Sequence, residues 1–156
     1  MSQWRNRIIG YGTEKPDQLL ANPNNYRIHP KNQQDALSGV LENIGVVQNI
    51  LVNRRTGFVV DGHLRVSMAL SAGQAELPVT YVDLTDEEEA AILATYDPLS
   101  AMAAKDDEAF AALKSGMSDA YAQLVEMAGQ LDNEGEHPEH KEREIECPEC
   151  GHKFSV

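Results

Sequence analysis

Eight residues, Phe58-Val-Val-Asp-Gly-His-Leu-Arg65, constrain this chain more than any other stretch. Phe58-Val-Val60 reads as a buried strand, Gly62 as a turn, and the apolar set Val66, Ala69 and Leu70 as the helix that follows. A strand that passes through one glycine straight into a helix leaves the first N–H groups of that helix unpaired where the backbone is bare. Such a start attracts anions. The N–H groups and the positive end of the helix dipole face the ligand, Gly62 lets it approach, and His63 and Arg65 add donors. Alone, Gly-His-x-Arg is a short motif, and an ordinary polar turn fits the same letters.

The flanking sequence supplies the rest of a small mixed fold. Arg7-Ile-Ile-Gly-Tyr-Gly12 predicts a short strand, and Asn22-Pro-Asn-Asn-Tyr-Arg-Ile-His-Pro30 a structured loop. Ala36, Leu37, Val40, Leu41 and Ile44 recur at helical spacing before Gly45. Asn49 to Asn53, the turn Arg54-Arg-Thr-Gly57 and Phe58 to Val60 form a hairpin pattern, and Leu77 to Asp83 alternates like a strand. Thr85-Asp-Glu-Glu88 is a capping box, so a helix should run from there to about Tyr96, with Pro98 as its stop. Two further helices are expected, near 106–114 and 118–130. The order describes an α+β fold with mixed strand directions.

Charge decides where a phosphate could be handled. The chain carries 25 acidic and 13 basic residues, a net −12, and polyanion binding relies on Lys and Arg displacing counterions. The distribution matters more than the sum: residues 1–84 carry +1, 85–130 carry −8 and 131–156 carry −5. A phosphate-handling surface therefore belongs to the first half, while the acidic second half reads as solvated helical faces. No apolar run is long enough to cross a bilayer, no signal-peptide pattern opens the chain, and two cysteines make no disulfide scaffold. The expectation is a cytoplasmic protein with no membrane partner.

The ordered set Asn22-Pro-Asn-Asn-Tyr-Arg27, Glu42-Asn-Ile-Gly-Val-Val-Gln-Asn-Ile-Leu-Val52, Val60-Asp-Gly-His-Leu-Arg65 and Leu77-Pro-Val79 resembles the ParB/sulfiredoxin superfamily over about residues 7–104. It is most similar to short ParB-like proteins encoded by phages or beside DNA-modifying enzymes, which implies a bacterial or phage-infected cell. The resemblance implies a compact nucleotide-binding domain over 1–104, with a helical extension over 105–131 and a tail over 132–156. Members of the superfamily use the pocket differently. Partition proteins bind and hydrolyse CTP, sulfiredoxins transfer phosphate to an oxidised cysteine, and a free-serine kinase branch phosphorylates a hydroxyl.

Departures from these patterns prune the list. Sulfiredoxins place a cysteine just before the His-Arg pair, where this chain has Asp61-Gly62. Partition proteins carry a Glu-Asn-x-x-Arg segment and then a helix-turn-helix region. Here Tyr96-Asp-Pro-Leu-Ser100 stands in that place, with Asp97 at the Asn position. The kinase-like branch fits best, because phosphoryl transfer needs a phosphate cradle, a metal carboxylate and a base. On that resemblance Gly62, His63, Arg65, Arg27, His29 and Asn22 would hold the nucleotide, with His63 also counted as catalytic. Asp61 would be the base and Asp97 a Mg²⁺ ligand. Each carboxylate also has a plainer reading, Asp61 as a turn former and Asp97 as a helix cap.

In the tail, Cys147-Pro-Glu-Cys150 has the form of a zinc knuckle, and His137 and His140 could complete a structural His₂Cys₂ site, with His152 as a substitute. The whole reads as a phosphotransferase that uses ATP, GTP or CTP with Mg²⁺. Its expected acceptor is the hydroxymethyl group of 5-hydroxymethylcytosine or 5-hydroxymethyluracil in phage DNA. Trp4, Tyr11 and Tyr26 are the aromatics available to stack on an unstacked base, though aromatics in a small domain are more often core. Arg54 and Arg55 could touch a nucleic-acid backbone, and a homodimer stays open. The alternatives are a CTP-type DNA-binding accessory module without kinase activity and a metal-dependent nuclease.

Overall fold

The computed structural model describes residues 3–134, 144–146 and 153–155. Along the chain come β1 (Ile8–Glu14), a 3-10 turn (Pro16–Gln18), α1 (Lys31–Asn43), β2 (Ile50–Asn53), β3 (Val59–Asp61), α2 (His63–Ser71) and β4 (Leu77–Val82). They are followed by α3 (Asp86–Ala101), α4 (Asp107–Ser115), α5 (Asp119–Glu134), β5 (Glu144–Glu146) and β6 (Lys153–Ser155). The fold is α+β with one small mixed sheet, in agreement with the sequence patterns. No helix among the described residues is long and apolar enough to cross a membrane.

The strand order is β1-β4-β2-β3. β2 and β3 are the expected hairpin, closed by Gly57 at a φ of 74° that an L side chain would strain. α2 then carries the chain back, so that β4 lies parallel to β2 on the side away from β3, and β1 closes the far edge antiparallel to β4. Ile50, Val52, Val59, Leu77 and Val79 of the strands pack with Val66 and Ala69 of α2 and with Leu19. Each buried side chain of this size contributes roughly 1.5–3 kcal/mol. That core clamps α2 against the sheet and so holds the strand-glycine-helix junction in place.

α3 begins as its capping box requires. Thr85 Oγ1 accepts from the Glu88 N–H at 3.3 Å, and the Glu88 carboxylate accepts from the Thr85 N–H at 2.8 Å. Arg7 also donates to Glu88, at 2.8 and 2.6 Å, and to the Asp83 carbonyl. Hydrogen bonding to Arg7, with the Thr85 N–H adding to it, holds the Glu88 carboxyl down at about 2.

The helix does not stop before Pro98 as its sequence suggests, but runs on to Ala101 with the proline inside it. Proline removes one N–H, the donor to the carbonyl four residues back at Ala94, without forbidding the turns on either side. Around the break, side chains take up carbonyls: Arg27 Nη2 and Tyr26 Oη donate to Leu93 O at 3.0 and 3.4 Å, and Ser100 Oγ to Tyr96 O at 3.0 Å.

α5 packs an apolar face against α1. A Cβ at Gly39 would lie 2.8 Å from Leu124, so the glycine sets how closely the two helices approach. Beside this contact an apolar groove of about 420 Å³ is lined by Val40, Ile44, Met117, Tyr121, Leu124, Val125 and Ala128. β5 and β6 pair antiparallel, with Ile145 opposite Phe154. The proposed zinc ligands His137, His140, Cys147 and Cys150, and the substitute His152, lie outside the described residues.

Candidate functional site

β3 ends at Asp61, and the next residue, Gly62, has φ 99° and ψ 16°. Glycine is required there twice. The backbone is left-handed, and a Cβ would lie 2.7 Å from Ile50 Cδ1 and 3.0 Å from Arg65 Nη2. No side chain caps α2, so the leading N–H groups of the helix face outward beside bare backbone.

Arg65, in the first turn of α2, folds its guanidinium back over Gly62. Its Nη2 donates to Asp61 Oδ2 at 3.1 Å and to Asn49 O at 3.4 Å, and its Nη1 donates to Gln48 Oε1 at 2.8 Å. Its Nε is buried without any hydrogen-bond partner. A buried donor on a charged group is costly to leave unpaired, which marks the place as one where an acceptor would be welcome.

The opposite wall is the loop before α1. Asn22 is buried and orders that loop: its Oδ1 accepts from the Asn24 N–H at 2.9 Å and its carbonyl from the Asn25 N–H at 3.0 Å. Its own N–H donates to His63 Nε2 at 3.4 Å. Arg27 reaches from the same loop to Asp97 Oδ2, with Nε at 2.9 Å. His29 Nδ1 lies 2.9 Å from Gln33 Oε1.

These residues enclose a cavity of about 150 Å³. Its lining is Arg27, His29, Gln33, Leu37, Asp61, Gly62, His63, Leu64, Arg65 and Asp97. The structure thus brings together Asp61, Gly62, His63, Arg65, Arg27, His29 and Asp97, which the sequence spreads over 71 residues. Asn22 stands apart from them, behind His63. Burial is the main reason His63 titrates below its ordinary 6.5; the nearby charges of Arg27 and His29 push the same way, while Asp61 and the Val59 carbonyl oppose them. Both carboxylates of the cavity already have arginine partners, Asp61 with Arg65 and Asp97 with Arg27. No group of three or more His, Cys, Asp or Glu suited to a metal ion occurs among the described residues. A Mg²⁺ ion here would therefore need phosphate oxygens beside Asp97, which is how this ion is commonly held.

Sequence reasoning missed Glu89. It lies on the inward face of α3, one turn before buried Leu93, with 4 % of its surface exposed, and its carboxylate accepts from Asn22, Asn53 and Thr56. The available signal was a carboxylate at the helical spacing of an apolar face. The aromatics also differ from the core reading: Trp4 is 96 %, Tyr11 70 % and Tyr26 61 % exposed. Arg54 stacks 4.4 Å above the Tyr81 ring and Arg55 pairs with Asp83, and both remain exposed.

No family model matches the chain, and no curated protein matches it. Among solved structures, two of the pNOB8-like ParB N-domain resemble it over nearly its whole length. One, in the C2221 crystal form, has a TM-score of 0.51 at 15 % identity over 97 % of this chain and 59 % of that one. The other has 0.50 at 12 % identity over 99 % and 56 %. A C-terminally truncated chromosome-partitioning protein ParB from Caulobacter crescentus, complexed with CTP-gamma-S, has a TM-score of 0.49 at 24 % identity over 62 % and 55 %. The fold is therefore like that of a ParB N-domain. The chain spans little more than half the length of each of these structures.

Proposed function

We propose that this chain binds the phosphates of a nucleoside triphosphate at the start of α2. The observation that carries the reading is the convergence of Arg27 and Arg65 on a helix start opened by a left-handed glycine. Two guanidiniums and outward N–H groups in one cavity are the chemistry of a phosphate site. A cavity of about 150 Å³ suits phosphates, so the nucleoside would lie on its open side.

Transfer of the γ-phosphate to a hydroxyl is the second part of the proposal, and the two carboxylates of the same cavity support it. The acceptor oxygen bonds to the γ-phosphorus, the bond from that phosphorus to the β–γ bridging oxygen breaks, and the nucleoside diphosphate leaves with the electron pair. The acceptor proton passes to Asp61. Asp97 and the phosphates would hold Mg²⁺. Binding of phosphate to Arg65 and Arg27 would release both carboxylates from their present partners.

The acceptor we favour is the hydroxymethyl group of a modified pyrimidine in phage DNA, such as 5-hydroxymethylcytosine or 5-hydroxymethyluracil. The exposed Tyr26 ring, next in sequence to Arg27, supports it as a surface on which an unstacked base can lie. A structural zinc on Cys147, Cys150, His137 and His140 completes the reading and is tested by metal analysis of the purified chain.

The deciding experiment incubates the protein with γ-labelled ATP, GTP or CTP and Mg²⁺. Acceptors are unmodified DNA, hydroxymethylated DNA and free serine, and nucleotide affinity is measured alongside. Label on modified DNA alone supports the base kinase, and label on serine moves the activity to a metabolite. Nucleotide binding without transfer leaves a CTP-type DNA-binding accessory module. Cleavage of DNA with metal and no nucleotide would make the protein a nuclease.

A further inference from the structure

Glu89 lines no part of the cavity, yet it is tied to it. Its Oε1 accepts from Asn22 Nδ2, and its Oε2 from Asn53 Nδ2 and Thr56 Oγ1, each at 2.6 Å. Among the described residues no Lys, Arg or His pairs with it. A buried carboxylate without a cation is a costly choice for helix packing alone, where a leucine one turn before Leu93 would serve. What the carboxylate does is join three separate segments: the loop of Asn22, the end of β2 and the β2–β3 turn.

The Asn22 link leads into the site. Asn22 Oδ1 is taken by the Asn24 N–H, so its amide NH₂ is left for Glu89, and the same residue's backbone N–H points at His63 Nε2. A ring nitrogen facing an N–H must be bare, so the neutral His63 ring carries its proton on Nδ1, on the side where the Val59 carbonyl accepts it, and the residue-22 N–H is the second of two holds on the ring. We propose that Glu89 is a positioning residue that, through Asn22, fixes the Nδ1-protonated tautomer of His63. His63 is then a support for the α2 start, and the phosphate-binding charge of the cavity falls to Arg27 and Arg65. The tautomer assignment is independent of the ligand; its consequence for affinity rests on the nucleotide reading above.

The test uses the full chain labelled with ¹⁵N-histidine. Long-range ¹H–¹⁵N spectra read the His63 tautomer in wild type, Glu89→Gln, Asn22→Ala and the double exchange Asn22→Asp with Glu89→Gln. In the exchange the amide and the carboxylate swap ends of one hydrogen bond, and the residue at 22 still accepts from the Asn24 N–H. Wild type should show a bare Nε2, both single variants a mixture of tautomers, and the double exchange the wild-type state again. Asn22→Ala leaves Asn53 and Thr56 on Glu89, so it reads the link even where Glu89→Gln fails to fold. A wild-type ring protonated on Nε2, or an Asn22→Ala chain that keeps the wild-type tautomer, would overturn the proposal. In parallel, calorimetry with ATP, GTP and CTP should show up to about a tenfold loss of affinity in the single variants, the worth of one hydrogen bond supporting the α2 start, recovered in the exchange. A wild-type chain that binds none of the three sinks the nucleotide reading and leaves the tautomer result to decide the role of Glu89.

Discussion

Arg27 and Asp97 meet across the mouth of the cavity, Nε to Oδ2 at 2.9 Å, and tie the loop before α1 to the last turns of α3. The two ends are unequal. The Arg27 side chain is 17 % exposed and the Asp97 side chain 56 %, so an incoming phosphate competes with a carboxylate that water already solvates well. A pair of this kind contributes little, on the order of 1 kcal/mol or less, and exchange for a doubly charged phosphate oxygen group is favourable.

Removing that competition should be visible. With EDTA present, Asp97→Asn is expected to bind triphosphate up to about fivefold more tightly, the size of one partly exposed ion pair. With Mg²⁺ present, the gain in affinity that the metal gives wild type should vanish. Calorimetry under both conditions separates the two effects, and weaker binding in EDTA would show that Asp97 helps the phosphate rather than opposing it.

Gly62→Ala meets strain and contact at once, at φ 99° and 2.7 Å from Ile50 Cδ1. The strained backbone alone costs about 1–3 kcal/mol. Urea unfolding should show a loss of at least that size, together with loss of nucleotide binding. A variant as stable as wild type would mean that the junction relaxes into another turn.

Asp61 and Arg65 face each other but should fail differently. Arg65→Ala removes two or more charge-assisted donors and should weaken nucleotide binding by about 1.5–3 kcal/mol, the worth of a hydrogen bond to a charged group. Asp61→Asn should bind nucleotide about as well as wild type while phosphate transfer stops. Unchanged single-turnover transfer in Asp61→Asn would remove that residue from the chemistry.

His63 makes stability depend on pH in a direction the structure sets. Burial keeps the folded ring neutral below the ordinary 6.5, so on acidification the unfolded chain takes up a proton before the folded one does. The contribution is fully present above 6.5 and falls as the pH drops from there toward the lower folded value. Denaturation midpoints from about pH 7.5 down to about pH 5 should decline, and the decline should be shallower in His63→Gln. A midpoint flat across that range in wild type would count against a half-buried neutral ring.

What could be read from the letters was whatever has a local cause. The hairpin turn at Gly57, the capping box at Thr85 and the glycine turn into α2 each rest on a few adjacent residues, and each is where the patterns put it. Pro98 misled because its rule concerns one missing N–H, the donor to Ala94 O, and the helix runs through that single gap to Ala101. The cavity residues were legible as types. Their pairing was not, since nothing local tells Asp61 from Asp97 in its choice of arginine. Glu89 was invisible for the same reason: its three donors come from residues 22, 53 and 56.

The place of β1 at the edge of the sheet, bonded to β4 and to nothing else in it, has a consequence for the order of folding. Arg7 and Asp83, which close this pairing, lie 76 residues apart. The hairpin, α2 and β4 can assemble from neighbouring chain, whereas β1 must wait for the longest loop to close. During synthesis β1 would leave the ribosome well before the strand it pairs with. Until then Ile8, Ile9 and the β4 edge stay open to other chains.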